Sequence, residues 1–110
     1  MTAIHKNLAK GKWQKLSLAQ QLGNIGSEIH RALKWQHQDK KQYDRAIERA
    51  LELFDLTMAD KRWKGRLREI GRAREVFCDT VLGEKEYKSS LEDLDKYFFQ
   101  FALLARQHLN

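Results

Sequence analysis

Proline is missing from all 110 residues, and cysteine occurs once, as Cys78. Without proline no position is barred from a helix interior, so helices can run long. A lone cysteine excludes an internal disulfide and fits a reducing compartment. No run of ~18 apolar residues is present, which excludes an ordinary membrane-spanning helix. The stretch from Met1 to Lys15 has lysines but no apolar core segment, so it is not expected to be a secretory signal. These absences lead to the expectation of a cytoplasmic protein without membrane contact. The four histidines (His5, His30, His37, His108) and Cys78 show no Cys-x-x-Cys or His-x-x-x-His spacing, so no metal site is expected. No glycine-rich phosphate loop follows a strand, because no strand pattern exists, and no cofactor is implied.

What is present is an apolar fraction of 42% arranged with helical periodicity, which points to a folded chain rather than a disordered one. The length suits one domain with a modest core. Four helices read out from their start signals. The first begins at Ser17, with Gln20 three residues on as a capping box, and carries the stripe Leu18, Leu22, Ile25, Ile29, Ala32, Leu33. The second begins near Asp39, with Gln42 in the third position, and its stripe is Tyr43, Ile47, Ala50, Phe54, Met58. The third is expected from near Asp60, through Trp63, Leu67, Ile70, Phe77 and Val81, to a glycine stop at Gly83. The fourth begins at Ser89 or Ser90, with Glu92 or Asp93 in the third position. Short loops make successive helices antiparallel neighbours. The expected architecture is all-α: an up-down-up-down four-helix bundle over residues 17–110, preceded by a basic N-terminal arm over residues 1–16, part of which Trp13 pins to the bundle.

The fourth helix carries more apolar surface than one face can hide. At roughly 100° per residue, Leu91, Leu94, Phe98, Phe101 and Ala105 make a core stripe. Phe99 and Leu103 point away from it, and Tyr97 and Leu104 widen its other flank. A helix apolar on most sides needs a second neighbour, and Tyr97, Phe99, Leu103 and Leu104 are therefore expected to form an interface between copies in a homo-oligomer. The arm, with Ile4 and Trp13, is the competing cover. Gly23 and Gly26 lie inside the first helix, where each costs ~1 kcal/mol relative to alanine. That cost implies a site of close backbone approach.

The net charge is +6 and its distribution is uneven. Residues 1–27 hold Lys6, Lys10, Lys12 and Lys15 and no acid, and residues 60–79 hold seven bases against four acids. Lys61, Lys64, Arg68 and Arg72 follow spacings of three or four, so a continuous helix would line them on one ridge, softened further along by Glu75 and Asp79. Like charges at that spacing repel, and phosphates laid along the ridge would relieve the repulsion while releasing counterions. Arg74 falls close to the apolar stripe, and a buried arginine needs a carboxylate, either Asp55 or Glu28. Asp44, Glu48, Glu52 and Asp55 share one face of the second helix. All-α nucleotide pyrophosphatases bind magnesium with such acids, but they need a second inward-facing cluster. Glu92, Asp93 and Asp95 are instead bunched in a first turn, where they suit the helix dipole. The second-helix acids thus read as an exposed salt-bridged face. Arg31 and His37 meet the loose Arg-x(4–6)-His pattern of HEPN ribonucleases, in which histidine and arginine work at a phosphodiester. Here Ala32 replaces the polar residue that often follows the arginine, and the pair falls in the first helix rather than a later one. Cys78, beside Phe77, is expected to be a buried small hydrophobe.

The runs Leu16 to Glu28 (LSLAQQLGNIGSE) and Leu56 to Trp63 (LTMADKRW) resemble a family of small uncharacterised bacterial and archaeal all-α proteins. The similarity covers most of the chain and transfers no catalytic residue. In architecture and charge the chain also resembles the four-helix-bundle accessory proteins of diversity-generating retroelements. Those are basic bundles that form ring oligomers and bind a reverse transcriptase and nucleic acid, and this resemblance works at the level of architecture alone. Together these readings lead to the expectation of a non-enzymatic, self-assembling basic adaptor. It would hold RNA or DNA, or an enzyme that processes them, through phosphate contacts from Lys61, Lys64, Arg68 and Arg72 and from Lys6, Lys10, Lys12 and Lys15. The alternatives are a protein-binding subunit without nucleic-acid contact and a HEPN-like ribonuclease.

Overall fold

The computed structural model describes residues 11–84 and 86–107. Over these the chain is an all-α four-helix bundle: α1 (Leu18–Trp35), α2 (Lys40–Met58), α3 (Leu67–Leu82) and α4 (Leu91–Gln107). The starts of α1, α2 and α4 are each fixed by a side chain. Ser17 Oγ accepts from Gln20 N at 3.1 Å while Gln20 Oε1 accepts from Ser17 N at 2.8 Å, closing the expected capping box. Asp39 accepts from Gln42 N, and Ser90 and Asp93 cap each other reciprocally. Such caps satisfy amide groups that a helix start leaves without partners. Gly83 ends α3 with φ of 75°, a left-handed conformation that side chains resist.

The third helix departs from the expectation. Asp60 caps a 3-10 segment, Lys61–Arg66, in which Trp63 is off helical geometry (φ −101°, ψ 20°), and α3 proper starts only at Leu67. The cause is a buried polar network. Gln21, on α1, donates from Nε2 to Trp13 O at 2.9 Å and to Asp60 Oδ2 at 3.0 Å, and accepts at Oε1 from Trp63 Nε1 at 2.9 Å. Arg62 grips both oxygens of Asp60 and reaches Leu16 O at 2.6 Å. The network holds Asp60, Arg62 and Trp63 against α1, a placement that a straight helix from Asp60 would not reproduce. With Arg62 bound to it, the Asp60 carboxyl is held down to about 2, against burial, which pushes it up.

The core gathers Ile25 and Ile29 from α1, Leu53 and Phe54 from α2, Ile70 and Phe77 from α3, and Leu91, Leu94 and Phe98 from α4. Phe54 is the hinge of the cluster, its ring 5.7 Å from Phe77 and 5.8 Å from Phe98. Trp13 joins this core and is fully enclosed, and Leu16 packs against it, so the arm is pinned to the bundle at these two residues. The buried face of α2 is centred on Ala46, Ala50, Leu53, Phe54 and Thr57, which leaves the expected stripe residues Tyr43, Ile47 and Met58 half-buried at its margin. Leu67, placed in the third stripe, is 36% exposed, because the late start of α3 turns it outward.

α1 lies between α2 and α4, while α3 touches its neighbours more lightly. The two glycines of α1 explain the contact with α4. A Cβ on Gly26 would sit 2.8 Å from Phe98 Cβ, and one on Gly23 3.3 Å from Ala102 Cα. The close approach expected from the sequence is therefore the α1–α4 crossing. No helix among the described residues is long and apolar enough to cross a membrane.

Candidate nucleic-acid interface

The basic residues between positions 60 and 79 divide by what they touch. Arg62 is bound to Asp60 and stacks 4.4 Å over the Trp63 ring. Arg66 donates to Glu69 at 2.9 Å and holds that carboxyl below its usual range. Arg74 donates from Nε to Asp55 Oδ1 at 3.0 Å. Its partner is thus one of the two expected, and the pair is half-open, Arg74 being 35% and Asp55 64% exposed, so the burial is only partial. Glu28, the other candidate, is bound to Arg31 at 2.6 Å. Arg72 lies 3.9 Å from Glu75 and 5.6 Å from the Tyr87 ring centre. Lys61, Lys64 and Arg68 are exposed and have no hydrogen-bond or ion-pair partner among the described residues.

Three members of the ridge are thus uncommitted cations and the fourth is loosely held. Their geometry needs correction. Lys61 and Lys64 stand on the 3-10 segment, on either side of the off-helical Trp63, and Arg68 and Arg72 stand on α3, one turn apart. The chain kinks at Trp63, between Lys61 and Lys64, and turns again at Arg66 before α3, so the four cations do not form one straight row. Nor does Asp79 soften it. That side chain is only 4% exposed and accepts from Glu86 N and Tyr87 N, tying down the turn before α4. Asp79 was misplaced because periodicity places a residue on a face without showing which loop folds over it. From the arm, Lys12 and Lys15 are exposed, and Lys6 and Lys10 lie outside the described residues.

The α4 flanks are bare. Tyr97 is 40%, Phe99 56%, Leu103 43% and Leu104 42% exposed. Tyr97 borders a groove of about 420 Å³ between α3 and α4, with Ala73, Val76 and Leu94 as its apolar lining. Ile4, the competing cover, lies outside the described residues. Two of the second-helix acids are drawn into ion pairs, Asp44 with Lys40 at 2.7 Å and Asp55 with Arg74. Arg31 faces Glu28 from α1, whereas His37 sits in the turn after that helix, and no contact joins the two. Cys78 is half-buried rather than enclosed, its Sγ 3.7 Å from the Arg74 guanidinium.

Comparison of the chain with protein-family models, curated proteins and solved structures returns no match. The functional reading therefore rests on the chemistry of these surfaces.

Proposed function

We propose that the protein is a non-enzymatic, basic helical adaptor of the cytoplasm that holds RNA or DNA along Lys61, Lys64, Arg68 and Arg72. Lys12 and Lys15 extend the basic surface at the arm, and a nucleic-acid-processing enzyme is a natural further partner. The observation that carries the reading is selective pairing: Arg62, Arg66 and Arg74 have carboxylate partners, while Lys61, Lys64 and Arg68 have none among the described residues. Cations left open on a chain of net charge +6 favour a polyanion. Contacts of this kind fix position without reading sequence.

A second observation supports self-assembly. Tyr97, which borders the α3–α4 groove, and Leu104, two turns further along α4, are both exposed, and soluble monomers seldom leave contiguous apolar area in water. A symmetric pairing of copies through this flank is the default geometry.

Binding of labelled RNA and DNA duplexes, followed by fluorescence anisotropy across a salt series, tests the reading. The parent protein should bind both, with affinity falling as salt rises. The double reversal Lys64→Glu, Arg68→Glu should weaken binding to all sequences alike and lower the salt slope by about two units. Equal binding by parent and variant would reduce the ridge to a solvated face. In that event, a light-scattering mass above the monomer that falls on Tyr97→Ser with Leu104→Ser would favour a protein-binding subunit.

A further inference from the structure

The cleft between α1 and α4 combines a pocket, an exposed ring and uncommitted cations. It encloses about 590 Å³, within the range of small-molecule sites. Phe99, 56% exposed, lies along one wall. Lys96 and Arg106 lie on the same wall and have no hydrogen-bond or ion-pair partner among the described residues. On the opposite wall Arg31 spends one nitrogen on Glu28, and its side chain is still 56% exposed. The acid within the cleft, Asp95, is occupied, with its Oδ1 3.1 Å from His30 Nδ1. The cleft therefore offers a bare aromatic face among hydrogen-bond donors of positive charge.

We propose that this cleft seats one nucleotide of a single-stranded nucleic acid, its base stacked on Phe99 and the phosphates on either side held by Lys96 and Arg106. The inference rests on the nucleic-acid reading above and narrows it to a single-stranded form. Charge decides against the obvious rival occupant, a second copy of the chain. A symmetric contact places the same patch on both copies, which here would set one surface with an excess of positive charge from Arg31, Lys96 and Arg106 against another of the same sign. A phosphodiester strand instead neutralises them, and the combination of aromatic platform and basic groove suits unpaired bases, whose faces are free to stack. A duplex keeps its bases stacked on each other and meets only the cations. The ridge of Lys61, Lys64, Arg68 and Arg72 serves either form, because it touches phosphate alone.

Fluorescein-labelled oligouridylate and a labelled duplex of equal charge are the probes. Phe99→Ala should lower the ratio of single-strand to duplex affinity by roughly 5- to 100-fold, the loss of one stacked base, with circular dichroism confirming the fold. Phe99→Trp should keep the parent's single-strand affinity, and its added emission should be quenched by oligouridylate. Lys96→Glu should weaken single-strand binding and flatten its salt slope. An unchanged affinity ratio in Phe99→Ala overturns the cleft while leaving the ridge intact. A Phe99→Ala variant that loses mass by light scattering yet keeps its RNA affinity assigns the flank to contact between copies, and also overturns it. A parent protein that binds neither probe overturns both the cleft and the adaptor reading.

Discussion

The first and third helices are held to the bundle in different ways. α1 meets α4 through its backbone. Gly23 and Gly26 let the helices approach until a single methyl group at Gly26 would collide with Phe98. α3 is held by the ends of side chains: Ile70 and Phe77 reach inward, Arg74 ties it to Asp55, and a groove stays open beside Tyr97. Its own interior glycine, Gly71, faces only the tip of Met58, and a Cβ there would lie at an ordinary 3.6 Å. Identical residues thus do opposite things. In α1 the missing side chain is a structural requirement, and in α3 it is a cost without a packing return. A close backbone contact fixes one geometry, whereas a side-chain contact leaves room to settle.

The largest effect that can break this comparison is core truncation. Phe98→Ala should cost ~4–5 kcal/mol, because the tight α1–α4 contact cannot collapse around the void, and Phe77→Ala only ~3 kcal/mol, because α3 can move inward. Urea unfolding of the two variants measures both, and equal costs would remove the distinction between the helices. The glycines sharpen it with opposite signs. Gly26→Ala should destabilise by ~1–3 kcal/mol through overpacking, while Gly71→Ala should stabilise by ~0.5–1 kcal/mol through helix propensity. Thermal melts of the pair give the answer directly.

Acid tests the polar counterpart of this packing. Asp60 ionises near 2 when folded and near 3.8 when free. A depressed folded value means the stabilisation is fully present above the free value and fades as pH falls from about 4 through about 2. Urea unfolding of parent and Asp60→Asn should differ by ~1–2 kcal/mol from this ionisation at pH 6, and the difference should shrink toward pH 2. A constant gap would locate the contribution of Asp60 in shape rather than charge. The smallest effect belongs to the surface clamp of α3. Arg74→Ala should cost less than ~0.5 kcal/mol, since Asp55 stays solvated and exposed ion pairs contribute little. A loss as large as that of Phe77→Ala would mean that α3 depends on this tie as much as on its core ring.

How much of this the sequence discloses depends on how local the physics is. Ser17, Asp39, Ser90 and Gly83 act within one turn of the chain, and their caps were legible as spacing. Gly23 and Gly26 were legible because an unfavourable residue inside a good helix needs an external cause, and Phe98 and Ala102 supply it. The 3-10 segment was not legible. Lys61 to Arg66 carries helical periodicity, yet Gln21, nearly forty positions earlier, binds both Asp60 and Trp63 and bends it. Asp79 likewise reads as a surface acid until the backbone of residues 86–87 closes over it. For the candidate site, the identity of the ridge cations was readable and their commitments were not. Only the fold shows that Arg62 and Arg66 are occupied while Lys64 and Arg68 stay open. Lys96, Phe99 and Arg106 all belong to α4 and could be grouped by spacing, but the α1 wall that makes them a cleft, with Arg31 on it, could not.

The contact between Gly26 and Phe98 also sets an order of events. It joins the first helix to the last across some seventy residues, so its closure entropy must be met late. The α1–α2 hairpin, joined by a short turn, can form first. As the chain leaves the ribosome, the glycine-lined face of α1 is complete long before α4 exists to cover it. Until synthesis reaches Gln107, that face stays open to water and to other chains, and docking of α4 is the step that closes the four-helix bundle.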